Sequence, residues 1–515
     1  MKKTLLSLFI CIISANVLIA QETPDFVDVT WSSEMDESKS NTLEEIVGHN
    51  EAGYFIVKQE KKDYFLEQFN NDLVREKSVL IDLDKLGKKR SFEKIILFGE
   101  GLYLFTSELS TKEMEKKFFV QSIDEETLEP IKDEMLFVKI PYKAYFLKKE
   151  NLFTFVVSED KSKLLAYYNS PYDFKGREQF GFNVFNSQME EIWYDFMELP
   201  IKEKQFIMED HLVDNNGDVF LMGKKYIGSK PSGYILYAYF DHGQALAEIP
   251  IELPGKYVNG ANMVFSPDNK IIVAGFYSDH STSGISGTFF TTVDLKTQKA
   301  SKINYQEFDM ELITKNLKKG EENKLNRKDE KGKDADMYEY DMRDMVFRPN
   351  GEILLIGEQY FIESVERMKT DGSGSETKRL YNYNDIVVVK LDAGGKIIWG
   401  NKIAKRQESK EDGGYFSSYI MAHTDQNLYF IFNDHPKNLE SEETGKIYNF
   451  EKGHYAMASV VKMDDEGNIQ REGLFKTTDK EIVLVPKVSK EISAGELIIY
   501  GERYSNQRIA RLLFK

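Results

Sequence analysis

The residues with the most chemical potential in this chain are two Asp-His pairs, Asp279-His280 and Asp434-His435. A histidine beside a carboxylate can ligate a metal or relay a proton. Each pair follows a short apolar run, so each would rise on a loop. The other histidines, His49, His211, His242, His423 and His454, are scattered, and no two form a His-x-x-x-His pair around a helical Glu. Two pairs so far apart do not make a metal motif, and solvated loop residues are the plainer reading. Asp214-Asn-Asn-Gly-Asp218 and Asp464-Asp-Glu-Gly-Asn468 look like calcium loops, but the longer ligand series ending in a bidentate Glu is missing. Both read as hairpin turns. No Gly-x-Ser-x-Gly, phosphate-binding loop or dinucleotide fingerprint occurs. Carboxylates are abundant, yet spacing singles out no pair suited to glycoside hydrolysis. Tyr360, Tyr381, Tyr383, Tyr448 and Tyr455 lie in or beside long connections. There they would stack on sugars, anchor a protein partner or pack on one another. The candidate binding set is therefore these tyrosines with Asp279, His280, Asp434 and His435. No catalytic residue, metal ligand or cofactor is assigned.

The elements that would position these residues repeat. Eight times a short turn opens into a strand: Gly53-Tyr-Phe-Ile-Val, Gly101-Leu-Tyr-Leu-Phe, Asn151-Leu-Phe-Thr-Phe, Gly217-Asp-Val-Phe-Leu, Asn269-Lys-Ile-Ile-Val, Gly351-Glu-Ile-Leu-Leu, Asn427-Leu-Tyr-Phe-Ile and Gly495-Glu-Leu-Ile-Ile. The apolar runs are short, alternate at period 2 and favour Val, Ile, Phe and Tyr, with Asn-Gly and Pro-Asp turn signals between them. The unit reads most clearly over 342–403, as strands a (Met342–Phe347), b (Glu352–Gly357), c (Asn384–Leu391) and d (Lys396–Ile403). A four-strand antiparallel meander repeated around an axis predicts an all-β fold, a β-propeller of eight blades, with seven as the alternative. The third unit is the least regular, because Lys163–Tyr168 adds an apolar run.

The three tryptophans, Trp31, Trp193 and Trp399, all fall in the place of strand d, where they would pack between blades. The last unit, with strands at Val485–Ser489, Glu496–Tyr500 and Arg508–Phe514, lacks a strand d, and Phe26–Trp31 resembles a strand d without a blade. Joining them would close the ring and leave no open edge. In such a meander the a–b and c–d turns lie at one end, the b–c and d–a connections at the other. The long connections, Glu159–Gln179, Glu358–Tyr383, Asp434–Gly453 and Tyr305–Asp341, would then share one face. Long loops clustered at one end are where binding concentrates. The charged insertion at 305–341 is too polar to bury a core and reads as mobile. A short helix is expected at Met310–Lys319, with Ile313 and Leu317 on one face.

Bulk properties set the compartment. Lys2 and Lys3 precede an apolar stretch from Leu5 to Ile19, and cleavage after Ala20 would leave Gln21 first. Residues 1–20 thus read as a signal peptide and 21–515 as one propeller domain, with a retained N-terminal anchor as the other reading. The single cysteine, Cys11, lies inside that stretch behind Phe9 and Ile10, not the small residues of a lipoprotein signal. The mature chain would hold no cysteine, which excludes disulfides, thiol nucleophiles and cysteine metal sites. A net charge of −17 argues against nucleic acid and anionic lipid as partners. After cleavage no membrane span is expected, and the chain would be periplasmic or extracellular.

Phe182-Asn-Val-Phe-Asn-Ser-Gln-Met-Glu-Glu-Ile-Trp193 with Glu198-Leu-Pro200, and Ala274-Gly-Phe-Tyr-Ser-Asp279 with Gly284-Ile-Ser-Gly287, resemble segments of uncharacterised secreted propeller-like proteins of Bacteroidota. The resemblance covers the middle of the chain. It implies export and a propeller, and it transfers no catalytic residue. Gly-His and Trp-Asp pairs at repeated positions, the WD40 mark, are missing. The sequence therefore reads as a non-catalytic binding or scaffolding propeller of the cell envelope, offering its long-loop face to a protein or glycan. Its rival is a propeller hydrolase or lyase acting on polysaccharide.

Overall fold

In this computed structural model, the described residues are 23–515 apart from 37–40, 87–89, 142–152, 171–175, 229, 281, 330–335, 369–373, 441–444 and 451–455. The proposed signal peptide and Tyr455 lie outside them. The strands form eight antiparallel meanders in chain order, the blades of an eight-bladed β-propeller. Blades 1 and 2 run from Asn41–Asn50 to Arg75–Leu80 and from Arg90–Phe98 to Pro130–Pro141. Blades 3 and 4 run from Phe153–Val157 to Glu191–Lys202 and from Phe206–Val213 to Ala245–Glu252. Blade 5 begins at Tyr257–Ser266, and its outer strand is split into Lys299–Ala300 and Asn304–Glu307, both paired to Gly287–Asp294. Blades 6 and 7 run from Tyr340–Phe347 to Ile397–Lys410 and from Ile420–His423 to Ile469–Lys476.

Blade 8 joins the two ends of the chain. Its strand b is Glu496–Arg503 and its strand c is Asn506–Phe514, and Val27–Trp31 pairs with the latter from Val27↔Phe514 to Trp31↔Ala510. The N-terminal strand is thus the missing strand d, and the ring closes. Strand a of this blade is not the continuous Val485–Ser489 expected. Pro486 lacks the N–H a ladder needs, so Pro486–Val488 forms a 3-10 turn between Val483–Leu484 and Lys490–Ser493.

The sequence signature belongs to strand b because that strand is buried on both faces. Tyr54 and Ile56 pack into the gap between blades 8 and 1, while Phe55 and Val57 pack between blades 1 and 2. Ile353 and Leu355 face blade 5, and Leu354 and Ile356 face blade 7. Each of the eight gaps holds such an apolar cluster, and the gap between blades 2 and 3 holds a second, of Phe118, Ile140 and Tyr168. A strand buried on both faces needs an unbroken apolar run, the pattern that repeats. The leading Gly or Asn has a turn reason: Gly53, Gly217, Asn269, Gly351 and Gly495 all have positive φ. A Cβ at Gly53 would lie 2.1 Å from the Phe69 carbonyl oxygen.

Blade 3 corrects the reading of the third copy. The strand after Asn151 is Phe153–Val157, the inner strand a, and strand b is the run Lys163–Asn169. Leu164 and Ala166 face blade 2 while Leu165 and Tyr167 face blade 4, the two-sided burial that marks strand b. Glu159–Gln179 is therefore not a b–c loop, since it holds the a–b turn and strand b.

Two other expected loops are ordered structure. Strands b and c of blade 6, Ile353–Met368 and Ser375–Leu391, continue as a ribbon beyond the blade through the supposed loop Glu358–Tyr383. The described residues of the 305–341 insertion are largely folded rather than a polar loop. They form helices Met310–Thr314 and Lys319–Asp329, the first capped by Asp309 and burying Leu312 and Ile313 against blade 6. Leu317 lies beyond the first helix. Asp336 then pins the insertion to blade 5 by accepting from Ser278 and Ser286 (2.8 and 2.7 Å). No helix among the described residues is long and apolar enough to cross a membrane.

Candidate functional site at the mouth of the ring

All a–b turns are short, and the elaborate b–c and d–a connections gather at the opposite end on blades 5 to 7. The tallest is the blade 6 ribbon. Bulges at Glu358/Tyr360 and at Asn384/Ile386 mark where the blade stops and the ribbon begins. Past the bulge, Tyr360 pairs with Tyr383 and Ile362 with Tyr381, so these four residues share one face. The rings of Tyr360 and Tyr383 are 4.6 Å apart. Ile362, at 48% exposure, carries the apolar stripe outward.

Beneath this face a charged cluster is assembled from three blades. The fully buried Glu358 carboxylate accepts from Lys405 Nζ (2.8 Å) and Ser418 Oγ (2.8 Å). Arg343 from strand a reaches the same carboxylate at 3.4 Å and lies over the Tyr360 ring at 5.5 Å. Burial lowers the Lys405 ammonium, and Glu358 opposes that shift. From blade 8, Lys487 donates to the Gly413 carbonyl oxygen (2.7 Å) and lies 3.1 Å from the Tyr383 hydroxyl. Asp344 accepts from Tyr419 (2.9 Å), and burial raises both groups. The result is a rim of cations and tyrosines above a satisfied internal ion pair. Deeper in the ring, the inner strands of blades 8, 1, 2 and 3 border a cavity of about 370 Å³ lined by Glu45, Lys94, Lys490, Phe105 and Phe153.

The structure distributes the sequence candidates unevenly. Tyr360, Tyr381 and Tyr383 converge on the mouth. Asp279 is paired with Lys256 inside blade 5, and its backbone N–H donates to Ser286 Oγ (3.1 Å). The backbone N–H of His280 donates to Ser278 Oγ (3.0 Å). Asp434 is buried and engaged by Arg471 (2.9 Å), Ser459 (3.2 Å) and Asn438 (2.7 Å), which hold the blade 7 connection in place. His435 stacks on Tyr448 with centroids 5.1 Å apart, and Lys446 covers the Tyr448 ring at 4.4 Å. The two Asp-His pairs thus have separate partners in separate blades. No group of three or more His, Cys, Asp or Glu that could hold a metal occurs among the described residues. Arg343, Glu358, Lys405, Ser418 and Lys487 were not singled out by sequence, because they converge from three blades and no spacing links them.

No protein-family model matches the chain, and no curated protein matches it in sequence. Among solved structures it is similar to the WD40 domain of SCAP from fission yeast, with TM-score 0.42 and 7% identity over 96% of this chain and 97% of that one. It is similar also to prolyl oligopeptidase B from Galerina marginata, with TM-score 0.41 and 8% identity over 91% of this chain. The chain spans about half that enzyme's length, 55%. A protein of unknown function from Bacteroides caccae gives TM-score 0.28 and 10% identity over 70% of this chain and 93% of that one.

Proposed function

We propose that this chain is an exported, non-catalytic binding propeller of the cell envelope, presenting its long-loop face to a protein or glycan. The observation that carries this reading is the blade 6 ribbon, which lifts Tyr360, Ile362 and Tyr381 above the ring beside Arg343. Rigid tyrosines with an arginine are the composition of binding hot spots. Three acids at or near this face are tied to cations: Glu358 to Lys405, Asp434 to Arg471 and Asp279 to Lys256. The test places a photoreactive side chain at Ile362 in the tagged chain, expressed in its own host. One envelope protein or glycan should be captured, and capture should fall at least tenfold in the Tyr381→Ala/Arg343→Ala variant. Release of new reducing or unsaturated sugar ends from envelope polysaccharide would establish the enzyme instead.

A further inference from the structure

The two edges of the blade 6 ribbon differ. On one side the blade 7 connection lies against strand d: Phe450 bridges Gln407, and its N–H donates to the Arg406 carbonyl oxygen (2.9 Å). On the other side strand b outruns strand a. The ladder between them ends at Tyr340↔Gln359, and a last backbone bond runs from the Tyr360 N–H to the Glu339 carbonyl oxygen (2.7 Å). Strand b continues to Met368, paired there with strand c alone.

Along an antiparallel strand, the backbone groups of successive residues point to alternate edges. Tyr360 aims its N–H at strand a, so Ile362, Ser364 and Glu366 aim theirs the same way, where no described residue meets them. Ile362, Glu363, Ser364 and Glu366 are all exposed. Edge strands are usually guarded by proline, lysine or a bulge. Phe361-Ile-Glu-Ser-Val-Glu366 has none of these, and its aromatic and β-branched residues favour an extended chain. A row of free N–H and C=O groups at strand spacing is matched by another extended backbone, which a glycan does not have. The charge on this edge is of one sign. Glu363 and Glu366 stand three residues apart, one on each face, and neither has an ion-pair partner among the described residues. The exposed Glu339 lies where the edge begins.

We infer that the open edge of the ribbon, from Ile362 to Glu366, docks an extended basic segment of a partner protein, which adds to the ribbon as a further strand. The backbone groups of Ile362, Ser364 and Glu366 would hold the segment in register. Lysines or arginines three residues apart in it would meet Glu363 and Glu366, one on each face. The inference rests on the reading of the ribbon as the binding element, and it narrows the partner from protein or glycan to a protein strand.

The test titrates the full chain with the synthetic peptide Ac-Val-Thr-Lys-Val-Thr-Lys-Val-Thr-NH2, whose lysines repeat the three-residue spacing. Ser364→Pro removes one outward N–H. It spares the ladder to strand c, because Ser364 and Arg379 form a non-hydrogen-bonded pair. Ser364→Thr keeps the N–H. Both variants are checked for a wild-type melting transition; if Ser364→Pro disturbs it, a peptide N-methylated at alternate amides makes the same comparison from the other side. Wild type and Ser364→Thr should bind the peptide, with amide exchange slowed at Ile362, Ser364 and Glu366. Ser364→Pro, the N-methylated peptide and a peptide with glutamate for lysine should each bind at least tenfold more weakly. The inference fails if the peptide does not bind the wild type, if N-methylation changes nothing, or if the slowed amides lie elsewhere. A dimer in sedimentation that Ser364→Pro dissolves would make the occupant a second copy of this chain and overturn the partner strand. Photocapture at Ile362 in the host separates this inference from the reading it rests on. Capture that survives Ser364→Pro removes the edge and leaves the ribbon as the binding element, whereas loss of all capture in the wild type removes both.

Discussion

At the scale of single residues, the buried polar groups decide most. Glu358 and Lys405 are both fully buried and 2.8 Å apart. Removing one partner leaves an unpaired internal charge, so Glu358→Leu should cost about 3–5 kcal/mol. The double variant Glu358→Leu/Lys405→Met should recover most of that loss, read from denaturant midpoints. A double variant as unstable as the single one would mean that the carboxylate holds Ser418 or Arg343 rather than the lysine. Two other buried groups give the protein a pH signature. Burial raises Glu178 from 4.5 to about 8, so between those values the folded chain binds a proton that the unfolded chain lacks. Its contribution is greatest below 4.5 and is lost as pH rises through 8. His211 works in the opposite direction. Burial lowers it from 6.5 to about 4, so its contribution is complete above 6.5 and is lost as pH falls toward 4. Glu178→Gln should therefore raise the melting temperature more at pH 9 than at pH 5, and His211→Phe should flatten the decline between pH 6.5 and pH 4.

At the scale of elements, the tryptophans show how a strand finds its neighbour. Trp193 Nε1 donates to the Gly217 carbonyl oxygen in the next blade (2.8 Å), and Trp399 Nε1 donates to that of Asp465 in the next blade (2.9 Å). Trp31 meets Phe475 of blade 7 edge-on at 5.1 Å. Trp193→Phe should cost about 1–3 kcal/mol through the lost hydrogen bond and the partial void. Replacing ribbon residues 361–382 with an Asn-Gly turn between Tyr360 and Tyr383 should hold stability within about 1 kcal/mol, because the ribbon is mostly outside the core. Partner capture should vanish with it; a ribbonless chain that still captures its partner would place the binding surface elsewhere. The repeat, the tryptophan register and the closing strand were legible in sequence because each depends on local pattern: two-sided burial in strand b, an aromatic in strand d, an unpaired strand at each end. The ribbon was not, because Ser364, Glu366, Thr377 and Arg379 carry no core-facing alternation once a hairpin leaves the blade. Blade 3 was misread because Phe153–Val157 is apolar enough to imitate a central strand while lining the ring. The mouth cluster could not be read at all, since Arg343, Ser418 and Lys487 meet only when three blades are in place.

At the scale of the whole molecule, the ring is a circle of eight apolar seams, and one strand from the far end of the chain completes its last blade. Deleting residues 23–36 should strip blade 8 of its outer strand and uncover strand c, lowering the melting temperature by more than 10 °C or abolishing the transition; an unchanged transition would overturn the role given to the closure. The export reading makes a separate prediction: N-terminal sequencing of the mature protein should begin at or near Gln21, and an intact Met1 on soluble cytoplasmic protein would defeat it. The closure also has a consequence in time. Ser32 holds the Ile509 N–H across 477 residues of sequence, so the first strand to be synthesised waits for the last before it has a partner. Blades 1 to 7 can fold as they emerge, but the circle locks only after the C-terminal residues are free. Final assembly is then a single late event of very high contact order, slow by nature. A product truncated before strand c of blade 8 (Asn506–Phe514) carries an orphan strand at one end and an open blade at the other, a ready mark for the quality-control proteases that clear unfinished chains.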